Sequence, residues 1–134
     1  MTENSDGYLI PEHLDEVIRF WSEVSLTEND YWTGRKEKDF EKEVCDTLDL
    51  CGIMAIKIPD RTSEYTFPDV LCHTRLRSGR YLSFYIEFKN RNKKVKKGSR
   101  QGDTFDKLGK YCPIYVANKV IDIVNILKNV RDSK

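Results

Sequence analysis

The segment from Phe67 to Lys89 constrains the chain more than any other. It runs Phe67-Pro68-Asp69-Val70-Leu71-Cys72, passes a turn at Ser78-Gly79, and continues Tyr81-Leu82-Ser83-Phe84-Tyr85-Ile86-Glu87-Phe88-Lys89. Two apolar runs about a Gly-containing turn predict two buried strands joined as a hairpin. Strand side chains alternate faces, so Glu87 and Lys89 share one face and Phe88 takes the other. A carboxylate and an ammonium at the end of an apolar strand are costly to bury unless they are paired or bind a cation. Asp69 opens the first run, so a second carboxylate belongs to the same inner edge.

The rest of the chain supplies helices and two more strands. Residues 1–7 are polar and are expected to be disordered. Leu14, Val17, Ile18, Trp21 and Val24 recur at helical spacing behind Pro11, predicting an amphipathic helix over 11–24. Packing is its simplest role, and a dimer contact is the alternative. Residues 25–35 form a loop carrying Tyr31 and Trp32, for packing or for stacking on a ligand. Phe40, Val44, Leu48 and Cys51 share one stripe of a second helix over 37–51, closed by Gly52. Residues 53–58 are β-branched and apolar, a first strand, followed by a polar loop over 59–66 that holds Arg61, Ser63 and Tyr65. After the hairpin come a helix over 101–111 with Phe105 and Leu108 inward, a strand over 113–117, and a last helix over 120–130 with Ile121, Val124, Leu127 and Ile123 on its packed face. This order predicts one α/β domain over 1–134, its mixed sheet closed by a helical crossover.

Composition narrows the class. Charged residues are 34% of the chain and hydrophobic residues 39%, which suits a small domain with a heavily charged surface. No apolar run is long enough to span a membrane, and no signal-peptide pattern opens the chain, so an intracellular protein is expected, in cytoplasm, nucleoid or nucleus. Cys45, Cys51, Cys72 and Cys112 form no CxxC pair, and reduced buried thiols are expected instead of a zinc site. The net charge of +1 makes no case for a polyanionic partner, but its distribution does. Residues 90–100 hold Arg91, Lys93, Lys94, Lys96, Lys97 and Arg100 with no acid. Such a run is either a solvated loop or a phosphate-contacting segment.

Pro68-Asp69, then Glu87-Phe88-Lys89 after a hairpin, with Glu41 in a preceding helix and Gln101 opening a following one, resembles the PD-(D/E)XK nuclease superfamily. The pattern is most similar to archaeal-type Holliday junction resolvases and small virus-type (VRR-NUC) nucleases, and covers about residues 37–130. The resemblance implies a restriction-endonuclease-like core, a four- to five-stranded mixed sheet flanked by helices, with an added N-terminal helix. It implies Mg²⁺ or Mn²⁺ as cofactor and DNA, branched DNA included, as substrate, in repair or recombination and in a viral setting, with a homodimer as one assembly. No small-molecule cofactor is expected. Asp69, Glu87 and the Phe88 carbonyl would bind the metal. Glu41 would hold a second metal or its water, Lys89 would orient the attacking water, and Gln101 would position water, lysine or phosphate. Arg61 and the basic run would follow the nucleic-acid backbone.

Three alternatives stay open at this stage. One is an RNA endonuclease of the same fold. Another is a catalytically inactive nuclease-fold module for nucleic-acid or protein binding. The third is a plain α/β domain in which Glu87 and Lys89 are a coincidental pair. From the helical pattern alone, Glu41 would be a solvated residue.

Overall fold

A computed structural model describes residues 6–27, 36–59, 65–89 and 94–134. Its elements follow one another as α1 (Pro11–Thr27), α2 (Glu37–Leu50), β1 (Met54–Lys57), β2 (Val70–Arg75), β3 (Tyr81–Phe88), α3 (Arg100–Leu108), β4 (Ile114–Ala117) and α4 (Val120–Arg131). The described strands form one four-stranded sheet in the order β1-β2-β3-β4. The first two pairings are antiparallel and the β3–β4 pairing is parallel. Tight turns can reverse an antiparallel pair, but a parallel pair needs a crossover. The segment containing α3 provides it. The sheet is therefore α/β and mixed as expected, with four strands and no fifth among the described residues.

Alternation decides which face is packed. Val70 lies opposite Ile86 and Cys72 opposite Phe84, and these four are buried with Phe88. They join one hydrophobic core with Leu14, Val17, Ile18 and Trp21 of α1, Phe40, Val44 and Leu48 of α2, and Ile123, Val124 and Leu127 of α4. Trp21, Phe40 and Phe88 stack edge to face, at 5.5 Å and 5.8 Å between ring centroids. Three helices thus cover one face of the sheet. On the opposite face Met54, Ile56 and Val116 stay exposed, and β1 is an edge strand.

Several expectations are corrected. β2 begins at Val70, not Phe67, because Pro68 has no N–H to extend the ladder. In α3, Phe105 and Leu108 are only half-buried; Gly102 and Thr104 are the buried positions, since this short helix crosses the chain just before β2 and not the core. Ile121 is exposed on α4, whose core stripe runs through Val120, Ile123, Val124, Ile126, Leu127 and Val130. Of the N-terminal stretch expected to be disordered, residues 1–5 lie outside the described residues, whereas Gly7 accepts a hydrogen bond from the Arg75 amide at 3.0 Å. That contact lets Tyr8 bridge to the end of β2. Gly52 has φ +81°, and a Cβ there would collide with the Tyr8 carbonyl, so the end of α2 needs glycine both for its turn and for this close approach. Tyr31 and Trp32 lie outside the described residues.

Phe40 ties α1 to β3 immediately beside Glu41. Phe40→Ala should lower unfolding free energy by about 3–5 kcal/mol, read as a drop in urea midpoint with an unchanged m-value. A loss under about 1 kcal/mol would mean that the aromatic stack collapses around the gap.

Candidate active site

At the end of β3 the sheet runs out of backbone partners. The amides of Tyr85 and Lys89 donate toward β4, to the carbonyls of Pro113 and Ala117. Amides alternate sides along a strand, so that of Phe88 faces β2, where Pro68 has interrupted the ladder. Asp69 fills the gap: its Oδ2 accepts the Phe88 N–H at 2.8 Å. In return the Asp69 N–H donates to Glu87 Oε1 at 3.1 Å. Each acid is therefore held by the backbone beside the other. Phe88 anchors the arrangement through its ring in the core, and a strand residue's carbonyl leaves on the same side as its own N–H, here toward Asp69.

The other oxygen of Glu87 faces two donors. Gln101 Nε2 lies 3.0 Å from Oε2 and Lys89 Nζ lies 3.4 Å from it. Gln101 reaches because α3 starts in the right place. Ser99 caps the helix by accepting the Gly102 N–H at 3.0 Å and donates its own hydroxyl to the Lys96 carbonyl at 2.6 Å. A Cβ at position 102 would strike that same carbonyl, so glycine permits the loop to lie on the helix. From β4, Asn118 Nδ2 donates to the Lys89 carbonyl at 3.2 Å, while Asp122 Oδ2 accepts the amides of Asn118 and Lys119. The end of β3 is braced from both neighbours.

Electrostatics follow from this burial. Glu87 is 4% exposed, and its carboxyl is pushed up to about 7, first by desolvation and next by the charge of Asp69; Lys89 and Gln101 oppose the shift. Glu41 is buried as well, 7% exposed, with its carboxyl raised by desolvation and by Asp69. It pairs with Lys57 at 3.5 Å. Asp69 thus couples to an acid on each side. Burial likewise raises all four thiols, Cys45 to about 11 and Cys51 to about 12.

Asp69, Glu87, Lys89 and Gln101 are brought together as expected, and Glu41 approaches from the helical face instead of joining their hydrogen bonds. Lys94 and Lys96 line a cleft of about 500 Å³ with Lys89, Ser99 and Gln101. Lys97 does not join that cleft: it borders a separate depression with Val95, Phe105 and Val116, because the turn at Gly98 directs it away. Arg100 is exposed in the first turn of α3. Arg61, Ser63, Arg91 and Lys93 lie outside the described residues. Two participants were missed. Lys57 is the one charge within the apolar run over 53–58, a signal present in the sequence; Asn118 carries none.

Among the described residues, no three His, Cys, Asp or Glu side chains converge as a ready-made metal cluster. The donors available at Asp69, Glu87 and the Phe88 carbonyl are nevertheless all oxygen, the ligand type of Mg²⁺ and Mn²⁺, and a carboxylate oxygen can accept an N–H and still present a lone pair. Glu87, raised by burial and then by the charge of Asp69, is also part of a donor set that a divalent cation would relieve. Compared with protein-family models, with curated proteins and with solved structures, the chain matches none.

Replacing Asp69 by Asn keeps an acceptor for Phe88 N–H and removes the charge. The Glu87 midpoint, followed by carboxyl NMR, should then fall from about 7 but stay above the ordinary 4.5, because burial is the larger cause. An unmoved midpoint would show that the two acids do not couple. Lys94→Gln with Lys96→Gln should flatten the salt dependence of nucleic-acid binding, lowering the log–log slope by up to about 1.8 on duplex DNA. An unchanged slope would make the cleft lysines solvated only.

Proposed function

We propose that this chain is a metal-dependent nuclease that hydrolyses phosphodiester bonds in DNA, of the structure-selective, resolvase-like kind, on a restriction-endonuclease-like core. The observation that carries the reading is the crosswise Asp69–Glu87 brace with Lys89 and Gln101 at one carboxylate oxygen, opening on a lysine-lined cleft. The pattern has the residue types that phosphodiester hydrolysis requires: acids, one cation beside them, and basic groups for the flanking phosphates.

A divalent cation held by Asp69, Glu87 and the Phe88 carbonyl would supply charge stabilisation and a lowered pKa for bound water. This chain's residues do the rest. Lys89 keeps a partly exposed ammonium next to Glu87, where it meets the incoming phosphate and orients water. Gln101 holds Glu87 in one rotamer and presents its amide to the same space. Lys94 and Lys96 neutralise backbone phosphates beside the scissile one. Glu41 and Lys57 set the potential around Asp69 from the helical face.

The raised Glu87 carboxyl has a consequence for stability. The folded chain holds a proton at pH values where the unfolded chain has lost it. The stabilising contribution is complete below the ordinary 4.5 and disappears as pH rises through about 7. A cation needs the ionised form, so it acts in the opposite window. Mg²⁺ or Mn²⁺ should raise Tm at pH 8, by about 2.7 kcal/mol of stability at a hundredfold its Kd, and leave it unchanged at pH 5. Asp69→Ala should remove this gain and all cleavage while remaining folded. Lys89→Ala should keep the gain and lose turnover. The assay is cutting of single-stranded, duplex, flap and four-way-junction DNA and of RNA with Mg²⁺, Mn²⁺ or EDTA. Metal-independent cutting, or full turnover in Lys89→Ala, would overturn the assignment.

A further inference from the structure

A second cleft, of about 290 Å³, opens beside the stretch that leads into Asp69. Its floor is apolar, made by Phe67 and Leu108, and its sides carry two tyrosines. Tyr65 and Phe67 lie with ring centroids 5.9 Å apart, and Tyr111 is 86% exposed. Lys107 stands over the Tyr65 ring at 5.4 Å, and Lys110 lies on the rim. No acidic side chain lines the cleft among the described residues. The walls are held in place: the Thr66 amide donates to Thr104 Oγ1 at 3.1 Å, and that hydroxyl donates to the Arg100 carbonyl at 3.0 Å. The segment before Asp69 is thereby pinned to α3.

An apolar slot bordered by aromatic rings and ammonium groups has the chemistry of a base face and its phosphate. Stacking needs a flat ring, which every base supplies, and the lysines need an anion. Position adds a second argument. Phe67 precedes Asp69 by two residues, roughly 7 Å of chain, and Lys107 follows Gln101 by six residues, roughly 9 Å along the helix. Both distances are two to three stacked-base steps of about 3.4 Å.

The geometry points to this cleft as a nucleobase pocket, bordered by Tyr65, Phe67 and Tyr111, that takes one unpaired nucleotide close to the phosphate at Asp69 and Glu87. The inference rests on the nuclease reading for its substrate and adds the feature that substrate must have. A base within a duplex is stacked and paired, and moving it into the slot requires unstacking. An unpaired base at a flap, a junction, a gap or a loop enters without that cost. The slot meets a ring face, which DNA and RNA share.

The test is equilibrium binding in EDTA, where no cutting occurs. Single strands carrying 2-aminopurine, as DNA and as RNA, are compared with a blunt duplex of the same length. The proteins are the wild type, Tyr111→Ala, and Tyr65→Ala with Tyr111→Ala. The single variant changes a side chain that is almost wholly exposed, so it tests the slot even if the double variant is unstable. Wild type should quench 2-aminopurine and prefer the unpaired strand. The double variant should lose roughly five- to a hundredfold in affinity for it, with the quench, and keep its duplex affinity; Tyr111→Ala should lose part of both. Equal binding by all three proteins, or equal loss on strand and duplex, would overturn the pocket. This pattern without any metal-dependent cutting would sink the nuclease reading and leave the pocket standing; cutting without this pattern would do the reverse. A preference confined to DNA or to RNA would name the source of the base.

Discussion

One exchange of hydrogen bonds organises the end of the sheet where the acids lie. Pro68 has no N–H, and the β2–β3 ladder stops at the Val70–Ile86 pair; beyond it the Phe88 amide takes a side-chain acceptor in place of a strand carbonyl. The Asp69 carboxylate satisfies that amide, and the Asp69 amide satisfies Glu87. A buried amide without a partner would be destabilising, so the arrangement is enforced by backbone chemistry as much as by the side chains. Its by-product is two like charges held side by side. Burial and mutual repulsion raise Glu87, and Lys89 and Gln101 offset only part of that.

The sheet is built on one side. α1, α2 and α4 cover the face carrying Val70, Phe84, Ile86 and Phe88, whereas α3 lies toward the other and reaches Glu87 through Gln101. The acids consequently sit where packed structure gives way to open surface. Rigid support comes from below through Phe88 and Phe40, and access comes from above through the cleft of Lys94 and Lys96. Glu41 reaches the same end from the helical face, so Asp69 stands at the junction of two acid environments, each with its own lysine.

Much of this was legible in the residues. The hairpin, the shared face of Glu87 and Lys89, the inward Phe88 and the helix stripe of Phe40, Val44 and Leu48 follow from alternation and periodicity, which act locally. Gln101 was legible through its resemblance-based spacing. Lys57 was readable in principle, as the one charge within an apolar strand. Asn118 was not: its side chain matters only because β4 returns parallel to β3 and sets it against the Lys89 carbonyl. The half-buried state of Phe105 and the exposure of Ile121 were misjudged because an amphipathic pattern tells that a helix has an apolar side, not how wide a surface its neighbours leave to cover it.

The sequence by itself determined the element types, the hairpin, and the chemical inventory of two acids, a lysine and a following basic run, because these depend on side-chain alternation and turn chemistry within a few residues. Only the tertiary structure decided that Asp69 and Glu87 brace each other through backbone amides, that Glu41 meets Lys57, and that Tyr65 and Tyr111 share a slot. Those relations join residues far apart in the chain, and their distances are set by strand register and helix placement, which the pattern of any single segment does not contain.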